Sequence, residues 1–391
     1  MNTRQAYQQL LFGMMSLMIV MAVGRFAYTP ILPFMQQAID MTHQEAGILA
    51  TLNYLGYLIG AIIPMFIVLK SKVYDLKLYL MINIVSTLLL GVFESFWALS
   101  VLRIVSGITS GTVFVLASNT VLEALKKANK QRFSGVLYSA VGMGIFLSSI
   151  FIFLYTTVET WKSTWLLLGG GSLLLGFLII IGMKEAPQNT NLKDVQHNKP
   201  SQKFTLKFMI CFAFAYFFEG AGYIITGTFL VVIINAIPVL SDYAALSWMF
   251  VGLGAIPSTL IWSLLAEYIG YEKAIYSAFI LQIIGVGLPL ITHNAWMIVI
   301  ASMLFGGTFL GLTTLFMAKS QEIMLQTNQK INMVSLMTIV YSLGQMLAPM
   351  ISGHLIGNSE HFDLALLFAT TLLLLGLLFS ILSYHGYKTQ G

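Results

Sequence analysis

Charge is what this sequence has least of. Only 9% of its 391 residues are Asp, Glu, Lys or Arg, where water-soluble domains carry about a quarter. A chain so poor in charge cannot cover itself with a water-facing surface, which excludes an ordinary soluble fold. Cysteine is nearly missing too. Cys211 stands alone, so no intrachain disulfide is possible, and no Cys/His spacing of a metal site occurs. There is no GxxxxGK[ST] loop for ATP, no HExxH for zinc and no nucleophile elbow. Neither an enzyme nor a cofactor is expected. The net charge of +5 does not point to nucleic acid, because the basic residues are scattered through short loops instead of lining one stripe.

Long apolar runs fill the space that charge leaves, and 58% of the residues are hydrophobic. A membrane span needs about 20 apolar residues to cross about 30 Å of hydrocarbon. Twelve such runs follow one another, at 10–36, 44–69, 76–93, 96–122, 133–156, 163–183, 207–235, 241–264, 273–291, 295–318, 331–355 and 363–384. The polar, Pro-containing stretch KEAPQNTNLKDVQHNKPSQK separates six from six. The chain therefore reads as an all-α membrane protein with an N-terminal six-helix bundle (1–183), a linker (184–206) and a C-terminal six-helix bundle (207–391). The first run holds Pro30 and Pro33 and has no small-residue cleavage site, so it reads as a span and not as a signal peptide.

Basic residues resist translocation and so fix orientation. Of the 20 Lys and Arg residues, Arg25 and Arg103 lie within spans and Lys162 alone falls on one side, leaving 17 on the other. That asymmetry places both termini and the linker in the cytoplasm of a multi-pass cytoplasmic-membrane protein. The halves also repeat. An offset of 198 to 200 aligns Gly24 with Gly222, Leu32 with Leu230, Trp97 with Trp296, Gly107 with Gly306, Glu123 with Glu322 and Gly144 with Gly344. A duplicated six-helix unit leaves such a trace, and parallel halves put a solute site at their interface near mid-bilayer.

Three segments carry a resemblance: GRFAYTPILP (24–33), VGMGIFLS (141–148) and GYIITGTFL (222–230). With the twelve spans they make the chain similar to the major facilitator superfamily, and to its YbfB/YjiJ-like branch. The resemblance implies a gradient-driven carrier whose first, fourth, seventh and tenth spans line a central cavity. It also implies an inner-face charge network, of which SKVYDLKLY (71–79) keeps Asp75 and SLLAEYIGYEK (263–273) keeps Glu267, Gly270 and Lys273. Arg103, in LRIVSG, occupies the arginine of a fourth-span pattern linked with proton coupling or substrate charge. The fifth-span antiporter signature lacks its proline, with Ser148 and Ser149 in that place, while GQMLAPMISG of the eleventh span keeps Pro349.

Three ionisable residues lie deep in spans: Arg25, Arg103 and Glu219. A charge at the bilayer centre costs roughly 2.5 to 3.5 kcal/mol on insertion scales, so each needs a cavity or a partner. At 1.5 Å per residue Arg25 and Glu219 share a depth, which lets them face each other across a cavity or form a static pair. Arg103 either takes part in recognition or caps helix carbonyls. Two guanidiniums against one carboxylate favour an anionic or zwitterionic solute, since Arg offers a bidentate fork. Tyr28, Asn53, Tyr57, Tyr223, Trp248 and Tyr341 are further candidates to touch it, and Tyr138, Tyr216 and Gln345 share their depth. His354 reads as interfacial. Gly107 and Gly111, like Gly307 and Gly311, are spaced for close helix approach.

The expectation from these residues is a monomeric secondary transporter in the lipid bilayer. It would export a small organic anion or zwitterion against protons, with Glu219 as the coupling carboxylate and Asp75, Glu267 and Lys273 as an inner-face gate. Export of drugs or a metallophore, proton-coupled import, and a non-transporting membrane sensor are the alternatives.

Overall fold

The computed structural model describes residues 2–185, 205–326, 333–357 and 362–388. Apart from its two end residues on either side, the expected linker lies outside the described residues. Among the described residues, twelve helices are long and apolar enough to cross a membrane. They are α1 (Thr3–Ile39), α2 (His43–Phe66), α3 (Lys72–Leu90), α4 (Phe96–Lys127), α5 (Ser134–Tyr155), α6 (Trp161–Gly182), α7 (Leu206–Asn235), α8 (Ala244–Ile269), α9 (Tyr271–Ile291), α10 (Ala295–Gln326), α11 (Met333–Ile356) and α12 (Phe362–Lys388). The largest departures from the expected spans are at helix ends. α1 starts at Thr3, not at 10, because Asn2 and Gln5 form a capping box, satisfying two orphan donors at once. α4 and α10 run past the first charges into water, where Lys127 holds Glu123 at 2.8 Å one turn away.

α1 is not uniform. It is α-helical over Thr3–Leu17, π-helical over Met18–Phe26 and α-helical again over Tyr28–Ile39. Proline supplies a physical cause, since its ring clashes with the carbonyl four residues back. For Pro30 that residue is Phe26, where the π segment ends. Carbonyls loosened by the wider turn find partners on α4. Ser110 Oγ donates to Val20 O at 2.8 Å, and Ser106 Oγ to Gly24 O at 2.9 Å. Behind them Asn83 Nδ2 on α3 donates to Ser106 O (3.1 Å), Thr109 Oγ1 (2.8 Å) and Ser110 Oγ (3.1 Å).

Small residues bring helices together, as apolar packing in lipid requires. A Cβ on Gly56 or Gly60 of α2 would lie 2.4 or 1.9 Å from a carbonyl oxygen of α4, and one on Gly107 or Gly111 would lie 2.1 or 2.3 Å from a carbonyl oxygen of α2. In the second half the contact falls on Gly306, whose Cβ would meet Val251 O at 2.0 Å. Gly307 is a correction to the expected pair. A Cβ on it would come no nearer than 3.8 Å, to Gly254 O, and its own carbonyl instead accepts from Ser258 Oγ and Trp262 Nε1 at 2.8 and 2.6 Å. The register of the repeat explains this, because Gly306 and not Gly307 is the mate of Gly107.

The two six-helix bundles are pseudo-symmetric in detail. Gly107 meets Asn53 O and Gly306 meets Val251 O, so both members of the contact recur at the repeat offset. Gly144 packs α5 on α1, and Gly344 packs α11 on α7. Trp97 and Trp296, 78% and 77% exposed, stand at the matching ends of α4 and α10. Thr29 Oγ1 donates to Gly227 O across the halves. These two are repeat-mates of each other, so the contact lies on the pseudo-twofold axis. The halves also meet where α2 packs on α11 and α5 on α8. At the end away from the termini, Thr51 Oγ1 donates to Met346 O at 2.8 Å, and a Cβ on Gly47 or Gly353 would strike Pro349 O or His43 O at 2.3 or 2.5 Å. The halves touch at that end, and Thr259 Oγ1 of α8 donates to Gly135 O of α5 at 3.1 Å near the opposite end.

Candidate functional site

Arg25 closes the π segment of α1 and is 3% exposed. Its Cζ lies 4.3 Å from the ring centroid of Tyr57, 4.6 Å from Tyr54 and 5.2 Å from Phe26. Such cation–π contacts are worth about 2 kcal/mol when desolvated. Nε and Nη2, which point the same way from one edge, are buried with no hydrogen-bond partner. A planar acceptor fits that edge with two parallel bonds.

Arg103 spends its donors differently. Nε donates to Leu49 O at 3.4 Å and Nη1 to Gly24 O at 3.5 Å, while Tyr28 packs on it with its centroid 4.3 Å from Cζ. Nη2 alone has no partner. Tyr28 in turn donates to Ala46 O at 3.0 Å, and Asn53 Nδ2 to Arg103 O at 2.9 Å. Arg103 thus bridges α1, α2 and α4 by their carbonyls.

The second half contributes a wall of rings. Phe305, Phe309, Tyr223, Tyr341, Tyr216 and Phe316 stack in sequence at interplanar angles of 17°, 12°, 8°, 18° and 15°. Phe26 joins this wall from the first half, 6.1 Å from Phe309 and 6.3 Å from Trp248. Some polar tips are taken, whereas the Tyr216 hydroxyl, Trp248 Nε1, Asn53 Oδ1 and Gln345 Oε1 are buried without a partner. Gln345 Nε2 donates to the Tyr223 hydroxyl, and Tyr341 shares a hydrogen bond with Thr313 at 3.2 Å. Tyr138 lies further along, 5.8 Å from Phe114.

Glu219 is fully buried, and neither carboxylate oxygen has a hydrogen-bond partner. It does not pair with Arg25. Its side chain instead neighbours Gln282 of α9, whose amide atoms are also unpartnered. The expected face-to-face pairing fails because Arg25 sits on the tyrosines of α2 while Glu219 turns into the second bundle.

The profile of the family described as "Uncharacterised MFS-type transporter YbfB" matches residues 17–381. The chain belongs to that family. Solved structures show the same fold. The nucleoside transporter NupG has a TM-score of 0.69 at 12% identity, with 98% of this chain and 99% of that one covered, and its point-mutant form scores 0.71. A bacterial homolog to the human lysosomal transporter Spinster, in an inward-facing and unoccupied conformation, scores 0.67 at 15% identity, with 98% of each chain covered. Comparison with curated proteins gave no match. This transporter family is one of secondary carriers, and the buried cluster described above lies between the two bundles.

Arg25, Tyr28, Asn53, Tyr57, Arg103, Tyr223, Trp248 and Tyr341 all fall in or against that cluster, with Tyr216 and Gln345 beside them. The expected gate residues are not joined. Asp75 is 2% exposed and accepts the backbone N–H groups of Leu69 at 2.8 Å and Lys70 at 3.3 Å, so it braces the α2–α3 connection. Glu267 and Lys273 are exposed on either side of the turn at Gly270, and among the described residues no ion pair joins them. Charge pairs form instead at the equivalent ends of α4 and α10. Glu123 meets Lys72 at 3.5 Å and Lys127 at 2.8 Å, and Glu322 meets Lys319 at 3.1 Å. His354 is exposed at the far end of α11. Ser148 and Ser149, in place of the antiporter proline, both donate to Ile145 O within an unbroken α5.

Sequence reading missed Tyr54, Phe26, Asn83, Gln282 and the Phe305–Phe309 pair. Asn83 and Gln282 carried a usable signal, as amides inside apolar helices that must find partners.

Proposed function

We propose that this protein is a proton-coupled carrier that exports a small organic anion or zwitterion across the cytoplasmic membrane by alternating access, with both termini in the cytoplasm. The observation that carries the reading is the Nε/Nη2 edge of Arg25, buried among rings and lacking an acceptor. A buried, unmet pair of charged donors is costly, and a solute carboxylate, sulfonate or phosphate relieves that cost on binding. Tyr28, Asn53, Tyr57, Tyr223, Trp248 and Tyr341 frame the solute, and Arg103 adds one further donor from Nη2.

Glu219 is the coupling carboxylate in this reading. Its burial without a cationic partner is what a proton-accepting group requires, since an ionised carboxylate held there would cost several kcal/mol. In the state open to the cytoplasm, Glu219 holds a proton that has come from outside. Solute binding from the cytoplasm releases that proton to the cytoplasm, and the loaded carrier then opens outward, where the solute leaves and Glu219 takes up another proton. The ion pairs of Glu123 and Glu322 lie at the cytoplasmic end and bias the alternation, a task the sequence assigns to Asp75, Glu267 and Lys273.

Binding of benzenesulfonate tests the reading. This anion stays ionised at every working pH and raises the unfolding temperature of a protein that binds it. Stabilisation of the wild type that is lost in Arg25→Lys and kept in Glu219→Gln is expected. Equal stabilisation of wild type and Arg25→Lys would remove Arg25 from the site.

A further inference from the structure

Asn83 of α3 and Gln282 of α9 are mates at the repeat offset, and both are completely buried. An amide enclosed by apolar helices has to be met by other polar groups. In the first bundle Asn83 Nδ2 is met three times, by Ser106 O, Thr109 Oγ1 and Ser110 Oγ of α4. The second bundle removes those partners. Phe305 and Phe309 stand where the repeat has Ser106 and Ser110. Thr308, the mate of Thr109, gives its hydroxyl to Leu304 O at 2.7 Å and Phe305 O at 3.1 Å of its own helix. Neither Gln282 Nε2 nor Gln282 Oε1 has a hydrogen bond.

What Gln282 has instead is Glu219 of α7 as its neighbour, equally buried and with both carboxylate oxygens unmet. The mate of Glu219 in the first bundle is Met21, so the acid occurs only in the half whose amide is unspent. Among the described residues, the other ionisable groups acting with that carboxylate are Tyr216 and Tyr223 of α7 and Tyr341 of α11. None of the three is a cation. The hydroxyls of Tyr223 and Tyr341 are already bonded to Gln345 and Thr313.

An amide suits a group that must both hold and lose a proton. Its N–H donates to a carboxylate and its carbonyl accepts from the neutral acid, so each protonation state finds a partner. A lysine or arginine in the same place would favour the ionised state alone. The terminal torsions of Glu and Gln are broad, so a small rotation sets the two groups against each other. We infer that Gln282 is the positioning residue of the coupling carboxylate, meeting Glu219 in its protonated and its ionised form. The inference rests on the reading of Glu219 as the group that exchanges the proton.

Infrared difference spectra of the purified full chain, acid minus alkaline pH, make the test, because the C=O stretch of a neutral carboxyl stands apart from the amide bands. The band that Glu219→Gln removes belongs to Glu219. In Gln282→Met, close to glutamine in length and volume, that band is expected to shift to higher frequency, as a carbonyl does on losing a hydrogen bond. A glutamine that only filled space would leave the band in place. Gln282→Asn, whose amide stops one methylene short, is the second variant should the first fail to fold, and is expected to shift the band the same way. An unmoved Glu219 band in these variants overturns the role of Gln282 and leaves Glu219 as the proton carrier. If Glu219→Gln removes no band, Glu219 exchanges no proton, and both readings fall.

Discussion

Arg25 and Arg103 are both buried cations, yet they spend their donors differently. Arg103 gives two nitrogens to backbone carbonyls, whereas Arg25 rests on ring faces and keeps one edge unmet. The two therefore separate under the same substitution. Arg25→Lys keeps the charge and loses the fork, and should weaken benzenesulfonate binding about 10- to 100-fold, the worth of one charge-assisted bond. Arg103→Lys should instead lower stability by about 1–3 kcal/mol, seen as a lower unfolding temperature, with a smaller change in affinity. Gly24 offers a second check. A Cβ there would lie 2.7 Å from Asn83 Oδ1, and Asn83 is fixed by three bonds to α4. Gly24→Ala should cost about 1–3 kcal/mol in thermal unfolding, and less in an Asn83→Ala background. At this scale the sequence showed Arg25, Arg103 and Glu219 because a charge stands out in an apolar run. It did not show which donors were already spent, since that depends on carbonyls brought in from other helices.

Among the helices, α1 departs most from expectation. Pro30 and Pro33 announce a disturbance, but whether a helix kinks, breaks or widens depends on what can accept its loosened carbonyls. Ser106 and Ser110 lie some 80 residues away in sequence and become relevant only after α4 packs on α1. No pattern within the first span contains that information. The hydroxyls hold the π register and so aim Arg25. Ser106→Ala and Ser110→Ala should each cost about 1 kcal/mol, and together should speed amide hydrogen exchange over Met18–Phe26 by roughly tenfold or more. Exchange unchanged in the double variant would mean that the segment is held by Pro30 alone. The α2–α4 contact was more legible, because glycines four apart need only the helical period to be recognised.

For the whole molecule, twelve spans and the 198-residue repeat were open to reading, since lipid demands long apolar helices and duplication leaves a constant offset. Gly107 with Asn53 and Gly306 with Val251 now give that offset a physical form. What remained hidden was the seam between halves, where contacts join residues with no shared period. A wedge in that seam tests its role. Gly47→Trp, whose Cβ alone would strike Pro349 O at 2.3 Å, should prevent closure at the far end and abolish transport while the purified protein still binds benzenesulfonate. The Lys/Arg asymmetry also makes a direct prediction: a cysteine replacing Asn191, which lies outside the described residues, should resist an impermeant thiol reagent applied to intact cells.

The central claim is that Arg25 holds the anion and Glu219 exchanges the proton that drives it. Radiolabelled benzenesulfonate flux in proteoliposomes with an imposed pH difference measures both, because this anion does not leak across lipid as a neutral acid. The account predicts concentrative flux in the wild type, none in Arg25→Lys, and exchange without concentration in Glu219→Gln. A Glu219→Gln protein that still concentrates benzenesulfonate against its gradient would contradict it.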